Sequence, residues 1–557
     1  MNILFLKLID YCMPEKGRSL NLIRTFFNHK HGSIIIFLIG IFLIILFWAN
    51  VLIYFGASPA EDALILFRYA EHLSQGQGIV WNSGVRAEGA TDFLWMIVIA
   101  LANLVTKNSI LSAWILGFIF MALSILWLTV VFRRLSLPPR SLFLTILVFL
   151  GSPAFIHVIN GFSPPMISLF LSIVLLIFFI FIVKPPANYK LLSLSWALAM
   201  LAAGLTRPEA NVFNLVVIVI FYLYCRSNKQ NKLFWQIILY LTTLYVAPFI
   251  IYWFWRYSYF GHFFPLPFYV KAIGGGVSLG QTIWDNLKYL TPHFVLTQIF
   301  LLPIIFLRSK DKSALAIRLG YLIVLLFFMI YLPFWQSQNI VFRFQYPIYY
   351  LTVILAGVQL GFLLKEQRWL RSALATTLVL LSAVGVVITT RPISAPPGDL
   401  TQVGKFLYQY RNNHYTMAVT EAGRLPYFSE WTTLDSYGLN DFNVARGRFD
   451  FSYWRSFNPV LVLVHTTSDM TLDPSSVSSS GNRNLIYKYM KESGHYQIVA
   501  AIKTVDHFGA VRTNDFNIYF LRQDIPQFET IREFIAHLPG AKYAVIPTTI
   551  QNYFLQQ

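Results

Sequence analysis

The chain has 557 residues, of which 56% are hydrophobic and only 12% charged, with a mean hydropathy of +0.57; a soluble domain carries roughly 25% charged residues. That balance excludes a soluble globular protein, and the two cysteines, Cys12 and Cys225, exclude a disulfide framework and a Cys-based zinc site. The net charge of +18 is spread as short Lys/Arg clusters between apolar runs, which is the mark of membrane topology and not of a nucleic-acid groove.

The first apolar run, Ser33 to Tyr54, follows a basic segment carrying Lys16, Arg18, Arg24 and Lys30. It is too long for a signal-peptide core and reads as an uncleaved signal anchor, with residues 1–32 in the cytoplasm. The loop after it, 56–109, opens like a helix: Ser58 as cap, Pro59 at the first position and Glu61 as the third residue of a capping box. Ala63, Leu66, Phe67, Ala70 and Leu73 then share one face, as in a helix lying on the membrane surface, with Asp62 and Tyr69 at its edge. Capping gives Glu61 a structural task, whereas Asp62 has none. Adjacent carboxylates beside a membrane are costly unless paired, hydrated, metal-bound or chemically used.

A span needs about 20 apolar residues, with roughly 17 as a working minimum, so the run Phe93 to Val105 is too short to cross. The runs 110–132, 141–158, 166–183, 191–205, 210–225, 233–254, 292–307, 319–334, 344–364 and 372–389 approach the required length, making about eleven spans with the anchor. With 93–106 left out of the count, the clusters Arg133/Arg134/Arg140, Lys184/Lys190, Arg226/Lys229/Lys232, Arg308/Lys310/Lys312/Arg318 and Lys365/Arg368/Arg371 all fall inside. Were it a span, all of them would be exported. The outer face then receives the first loop, 160–165, 206–209, 255–291, 335–343 and everything after 390. Composition changes at RPISAPPG, and the tail 390–557 carries β-rich runs at 415, 460, 496 and 516 among short helical stretches, as expected of an α/β domain.

The outer basic residues Arg68, Arg207, Lys271 and Arg343 are few and lie in loops beside helix ends, where a lipid phosphate at headgroup depth would meet them. The histidines His262, His293 and His465 lack metal-ligand spacing, and no Walker-type phosphate loop is present.

The first-loop blocks Glu-Asp-Ala, Phe-Arg-Tyr-Ala, Gly-x-Gly, Val-Trp-Asn, Gly-x-Arg, Glu-Gly-x-Thr and Phe-Leu-Trp resemble the first external loop of GT-C fold glycosyltransferases. The likeness is nearest to the terminal arabinofuranosyltransferases of the mycobacterial cell wall and their bacterial relatives, which usually carry Asp-Asp where this chain has Glu61-Asp62. LTRPEA (205–210) is similar to a Thr-Arg-Pro-Glu-Gly element of that family. YFGHFFPLPFYVK (259–271) resembles its Tyr-Gly-Asp, Pro-Asn-Thr and Tyr-Tyr-Ala-Lys segment, with His262 and Leu266 replacing Asp and Asn. TEAGRLPYFSEWTTLDSYGLND (420–441) is similar to its soluble-domain signature.

The resemblance implies a GT-C-like polytopic α-helical membrane domain over 33–389, with a catalytic external loop and an extracytoplasmic α/β domain, in a bacterial cytoplasmic membrane. It implies transfer of a sugar, with arabinofuranose as the family prior, from a polyprenyl-phosphate donor to a glycan or lipid acceptor, with inversion. Asp62 is then the expected base and Glu61 its competitor; Arg68, Arg207, Lys271 and Arg343 are the expected phosphate ligands. Tyr69, Glu88, Glu209, His262, Tyr269, Glu421, Tyr427, Asp435 and Asp441 are the expected sugar and acceptor contacts. No cofactor is fixed by the resemblance, and a divalent cation, Mg2+ or Ca2+, stays open. Membrane lipid is an expected partner and nucleic acid is not. The competing classes are a transporter or flippase of lipid-linked glycans and an O-antigen ligase or polymerase. A transporter tends to place its ionisable residues at mid-membrane in repeated halves; here the acids cluster in loops and no repeat is apparent.

Overall fold

The computed structural model describes residues 58–185, 188–270, 278–298, 312–334, 339–365, 399–467, 482–505 and 511–541. The expected anchor at 33–54, the expected span at 372–389, Lys271 and the His293 side chain lie outside the described residues. The membrane part runs α1 Glu61–Ser74, α2 Phe93–Thr106, α3 Ser109–Arg134, α4 Pro139–Leu150, α5 Ala154–Ile159, α6 Pro164–Val183 and α7 Lys190–Thr206. It continues with α8 Ala210–Ser227, α9 Asn231–Phe260, α10 Leu279–Gln298, α11 Lys312–Met329 and α12 Tyr346–Lys365. Among the described residues α3, α6, α8, α9, α11 and α12 are long and apolar enough to cross a bilayer, so the chain is a multi-pass membrane protein.

Two departures from the expected spans have local causes. The run 141–158 is broken into α4 and α5, because Pro153 cannot donate to the helix ladder and disfavours helical geometry at Ser152. In α9 the segment Thr242–Val246 widens into a π turn immediately before Pro248, whose missing N–H breaks the ladder there. The centre of the bundle is α6 and α12, both largely buried. Small residues let α12 approach α4. A Cβ at Gly357 would lie 1.9 Å from Thr145 Oγ1, and one at Gly361, a turn later, 2.9 Å from Ser141 Oγ. The 14-residue α2 spans about 21 Å. It buries Trp95, Met96, Ile99 and Ala100 while exposing Leu101, Leu104 and Val105.

The tail forms α13 Asp399–Leu407, β1 Thr416–Val419, α14 Arg424–Ser429, β2 Thr432–Asp435, α15 Phe442–Ala445 and α16 Phe451–Phe457. It ends with β3 Leu461–Thr467, α17 Arg483–Ser493, β4 Tyr496–Val505, β5 Val511–Arg522 and α18 Phe528–Ala536. The sheet order is β2-β1-β3-β5-β4, with β1 parallel to β2 and β3, and β5 antiparallel to β3 and β4. Period-two alternation divides β3 between two cores. Val462 and Val464 pack with Trp454, Tyr487 and Phe520 on one face. Leu461 and Leu463 face a core that also contains Leu64, Phe67, Trp81 and Trp95. The tail sheet and the first loop thus share one apolar core, which fixes the loop's acids against the tail.

Candidate active site

Asp62 lies in the first turn of α1, and its Oδ2 accepts a hydrogen bond from Arg343 Nη2 at 2.7 Å. Arg343 belongs to a turn braced by Asn339, whose Oδ1 takes the Phe344 N–H at 3.2 Å and whose Nδ2 donates to Gln345 Oε1 at 2.6 Å. Val341 and Phe342 within it are left-handed, with φ of 54° and 51°, a conformation that costs L-residues on the order of 1–2 kcal/mol each. The guanidinium stacks on Phe162 at 4.4 Å and Phe344 at 5.1 Å, and its Nε is buried without a hydrogen-bond partner.

Arg207, just past the end of α7, rests on the same Phe344 ring at 4.9 Å. Two carboxylates brace it. Its Nε donates to Glu209 Oε1 at 2.5 Å, and its Nη1 lies 3.3 Å from both oxygens of Asp92. Asp92 also accepts from Ser163 Oγ at 2.5 Å, and Tyr331 Oη donates to Glu209 at 3.4 Å. Arg207 and Glu209 from one turn and Arg343 from a distant one are therefore brought together with Asp62. Asp92 was missed by sequence reasoning; its one signal was a carboxylate placed directly before the apolar run of α2.

Glu61 faces the other way. The helix begins at Glu61 with Ala60 as N-cap and no side-chain cap, so the expected Ser58 capping box does not form. Tertiary partners take both groups. Glu61 Oε1 accepts the N–H groups of Gly423 and Arg424, each at 2.8 Å, while Arg424 donates to Ser58 Oγ at 2.9 Å and to the Pro59 carbonyl at 2.5 Å. Burial, with the Glu421 charge adding to it, pushes the Glu61 carboxyl up to about 7. Burial raises the Tyr437 phenol, and the charges of Glu421 and Asp62 add to it, so these two tail residues lie within electrostatic reach of the acid pair.

A family model described as a domain of unknown function, DUF8728, matches residues 393–519. No protein of curated function matches the sequence. Among solved structures, ArnT from Cupriavidus metallidurans in the apo state is 12% identical with a TM-score of 0.53, covering 88% of this chain and 98% of its own. The same protein bound to undecaprenyl phosphate gives a TM-score of 0.55 at the same identity and coverage. Arabinofuranosyltransferase AftD from Mycobacteria, 15% identical with a TM-score of 0.45, covers 86% of this chain and 41% of its own, a likeness too distant to bear on the sugar. The chain has the GT-C fold.

In this GT-C chain several expected contacts serve structure. Arg68, expected at the phosphate, is buried and donates through Nε to Trp81 O at 2.7 Å, through Nη1 to Pro426 O at 2.6 Å and through Nη2 to Trp431 O at 2.8 Å. It clamps the tail, with four of its five N–H donors spent on Trp81, Asn82, Pro426 and Trp431. Tyr69 Oη donates to the Ala87 carbonyl at 2.8 Å and accepts the Gly89 N–H at 2.9 Å. Glu88 forms a buried bidentate pair with Arg256 at 2.6 and 2.7 Å, and Tyr427 donates to Glu71 at 2.6 Å. Asp435, pushed up to about 6 by burial, accepts the backbone N–H groups of Tyr437, Gly438 and Asn440 and so shapes their turn. Asp441 caps α15 through the Val444 N–H at 3.1 Å.

Two expected contacts are packed against neighbouring side chains of the tail. His262 stacks on Phe442, with centroids 4.3 Å apart and rings 5° from parallel, and its Nδ1 has no hydrogen-bond partner. Arg446 covers the Tyr269 ring at 4.2 Å. Among the described residues no three His, Cys, Asp or Glu side chains gather as a metal site.

Proposed function

We propose that this chain is an inverting glycosyltransferase that moves one sugar from a polyprenyl-phosphate donor to a hydroxyl of a cell-envelope glycan or lipid, on the outer face of a bacterial cytoplasmic membrane. The observation that carries this reading is the junction of Asp62 with Arg343 and Arg207 on the shared Phe344 wall, within a fold shared with an enzyme solved with undecaprenyl phosphate. Two guanidiniums suit a phosphate, and a carboxylate beside them suits a proton acceptor.

Asp62 removes the acceptor hydroxyl proton as the oxygen attacks the anomeric carbon. A new C–O bond forms opposite the breaking bond to phosphate, and the electron pair leaves with the polyprenyl phosphate. The phosphodiester monoanion becomes a monoester dianion while Asp62 becomes neutral. The developing charge is stabilised by Arg343 and Arg207, so no separate general acid is needed. Glu421 and Tyr437, within electrostatic reach of the acid pair, suit the acceptor side, as do His262 and Tyr269 along the second loop. The topology that goes with this reading has the N-terminus inside, α2 on the membrane surface and residues 390–557 outside.

Incubating purified protein with a panel of polyprenyl-phosphate sugars, arabinofuranose among them, tests the reading. Consumption of one donor and release of polyprenyl phosphate is the expected result. A protein that binds the lipids but turns over none of them in the presence of envelope acceptors is not this transferase.

A further inference from the structure

We propose that Arg343 holds Asp62 in reserve and passes to the donor phosphate, so that donor binding precedes activation of the acceptor. The inference rests on the transferase reading given above. Its basis is the unequal bracing of the two site arginines.

Arg207 is fixed by two carboxylates from different parts of the chain, Glu209 at Nε and Asp92 at Nη1. Arg343 contacts Asp62 at 2.7 Å through Nη2, while its Nε is buried and has no hydrogen-bond partner. Its flanking contacts are the faces of Phe162 and Phe344, which allow a guanidinium to slide in its own plane. The preceding residues Val341 and Phe342 both occupy the left-handed region. The turn is thus held away from the conformation its residues favour, and strain of this kind gathers at switching segments.

Charge accounts for the direction of movement. A carboxylate bonded to a guanidinium is a poor proton acceptor, because the pair favours its charged form. A phosphate presents two oxygens in the geometry that a guanidinium fork prefers. When it arrives beside Arg207, Arg343 can turn its unspent Nε edge toward it and release Asp62. During transfer the negative charge leaves Asp62, which takes the proton, and accumulates on the phosphate. Arg343 already lies on the anion that gains this charge, and the total charge of the site stays constant.

Infrared spectroscopy in detergent, with aspartate carboxylates isotopically labelled, tests this through the band present in the wild type and absent from Asp62→Asn. Undecaprenyl phosphate is the probe, inorganic phosphate the control, and lipid binding is followed separately by tryptophan fluorescence. The expected result is a shift of the Asp62 band on adding the lipid, with Arg343→Ala showing the shifted band before any lipid is added. Lipid binding without a band shift overturns the handover and leaves the transferase reading standing, as does an Arg343→Ala band identical to that of the lipid-free wild type. A protein that does not bind the lipid removes the transferase reading itself. An equal shift with inorganic phosphate would show that the headgroup alone drives the exchange, which supports the handover.

Discussion

Glu61 and Arg424 are joined twice: the Arg424 N–H donates to the Glu61 carboxylate at 2.8 Å, and the Arg424 guanidinium stands 3.6 Å from its other oxygen. The bond ties the first turn of α1 to the start of α14 and leaves no room between them. A Cβ at Gly423 would lie 2.1 Å from the Glu61 carbonyl oxygen. Glu61 is thereby a docking residue, whereas its neighbour Asp62 pairs with Arg343.

The burial of Glu61 gives the docking a pH dependence. Its carboxyl is raised from an ordinary 4.5 to about 7, first by burial and then by Glu421. The folded state therefore binds its proton more tightly than the unfolded chain does. The stability it contributes is fully present below pH 4.5 and is lost as pH rises through about 7. Thermal melts of the purified protein should fall across that window, and Glu61→Gln should flatten the profile. An unchanged slope in the variant would mean that other groups set it.

Turnover should separate the adjacent acids. Asp62→Asn removes the proton acceptor while keeping its size, and a positioned base is worth about 10² to 10⁴ in rate; lipid binding should persist. Glu61→Gln retains a hydrogen-bond acceptor for Gly423 and Arg424, so its activity should stay within about tenfold of the wild type. The reverse order of effects would move the base to Glu61.

The tail is not separable from the first loop. Arg68 reaches Pro426 and Trp431 across the shared core, so Arg68→Ala should cost about 3 kcal/mol or more by stranding buried carbonyls. Arg68→Lys should recover only part of this, since one ammonium cannot serve three separated acceptors. Deleting residues 399–557 should unseat α1 and abolish lipid binding along with transfer. Limited proteolysis of the first loop reads this directly, and retained protection in the truncated protein would show that α1 stands by itself.

Gly89 provides a local test of the same interface. A Cβ there would lie 1.9 Å from Asn440 Oδ1 and 2.7 Å from the Leu439 carbonyl oxygen. Gly89→Ala should therefore destabilise the protein by about 1–3 kcal/mol, measured as a lowered melting temperature, and Asn440→Ala should relieve only the side-chain part of the clash.

The surface placement of α2 is tested by reporter fusions. One placed after Lys107 should report the outer compartment and one after Arg140 the cytoplasm, as the positive-inside rule predicts for the Arg133/Arg134/Arg140 cluster. The opposite pair of signals would invert the topology and carry the site with it.

Long-period patterns were legible in the sequence by itself. Apolar runs of span length gave α3, α6, α8 and α12 nearly to the residue, because burial in lipid constrains every position along such a helix. The β-rich runs gave β1, β3, β4 and β5, while β2 went unread. Composition marked the tail. What only the tertiary structure decided was how each polar group is satisfied. Ser58 and Glu61 form a plausible capping box on paper, but Arg424 and Gly423 offer stronger partners across a buried interface. Arg68 looked like a phosphate ligand because it is a cation in an outer loop, yet its environment is made of carbonyls from residues 81, 426 and 431. Asp92 acquires a role only when residue 207 folds back to meet it. A hydrogen bond depends on angstrom-scale placement of two groups that chain order can set hundreds of residues apart, and hydrophobic periodicity carries no information at that scale.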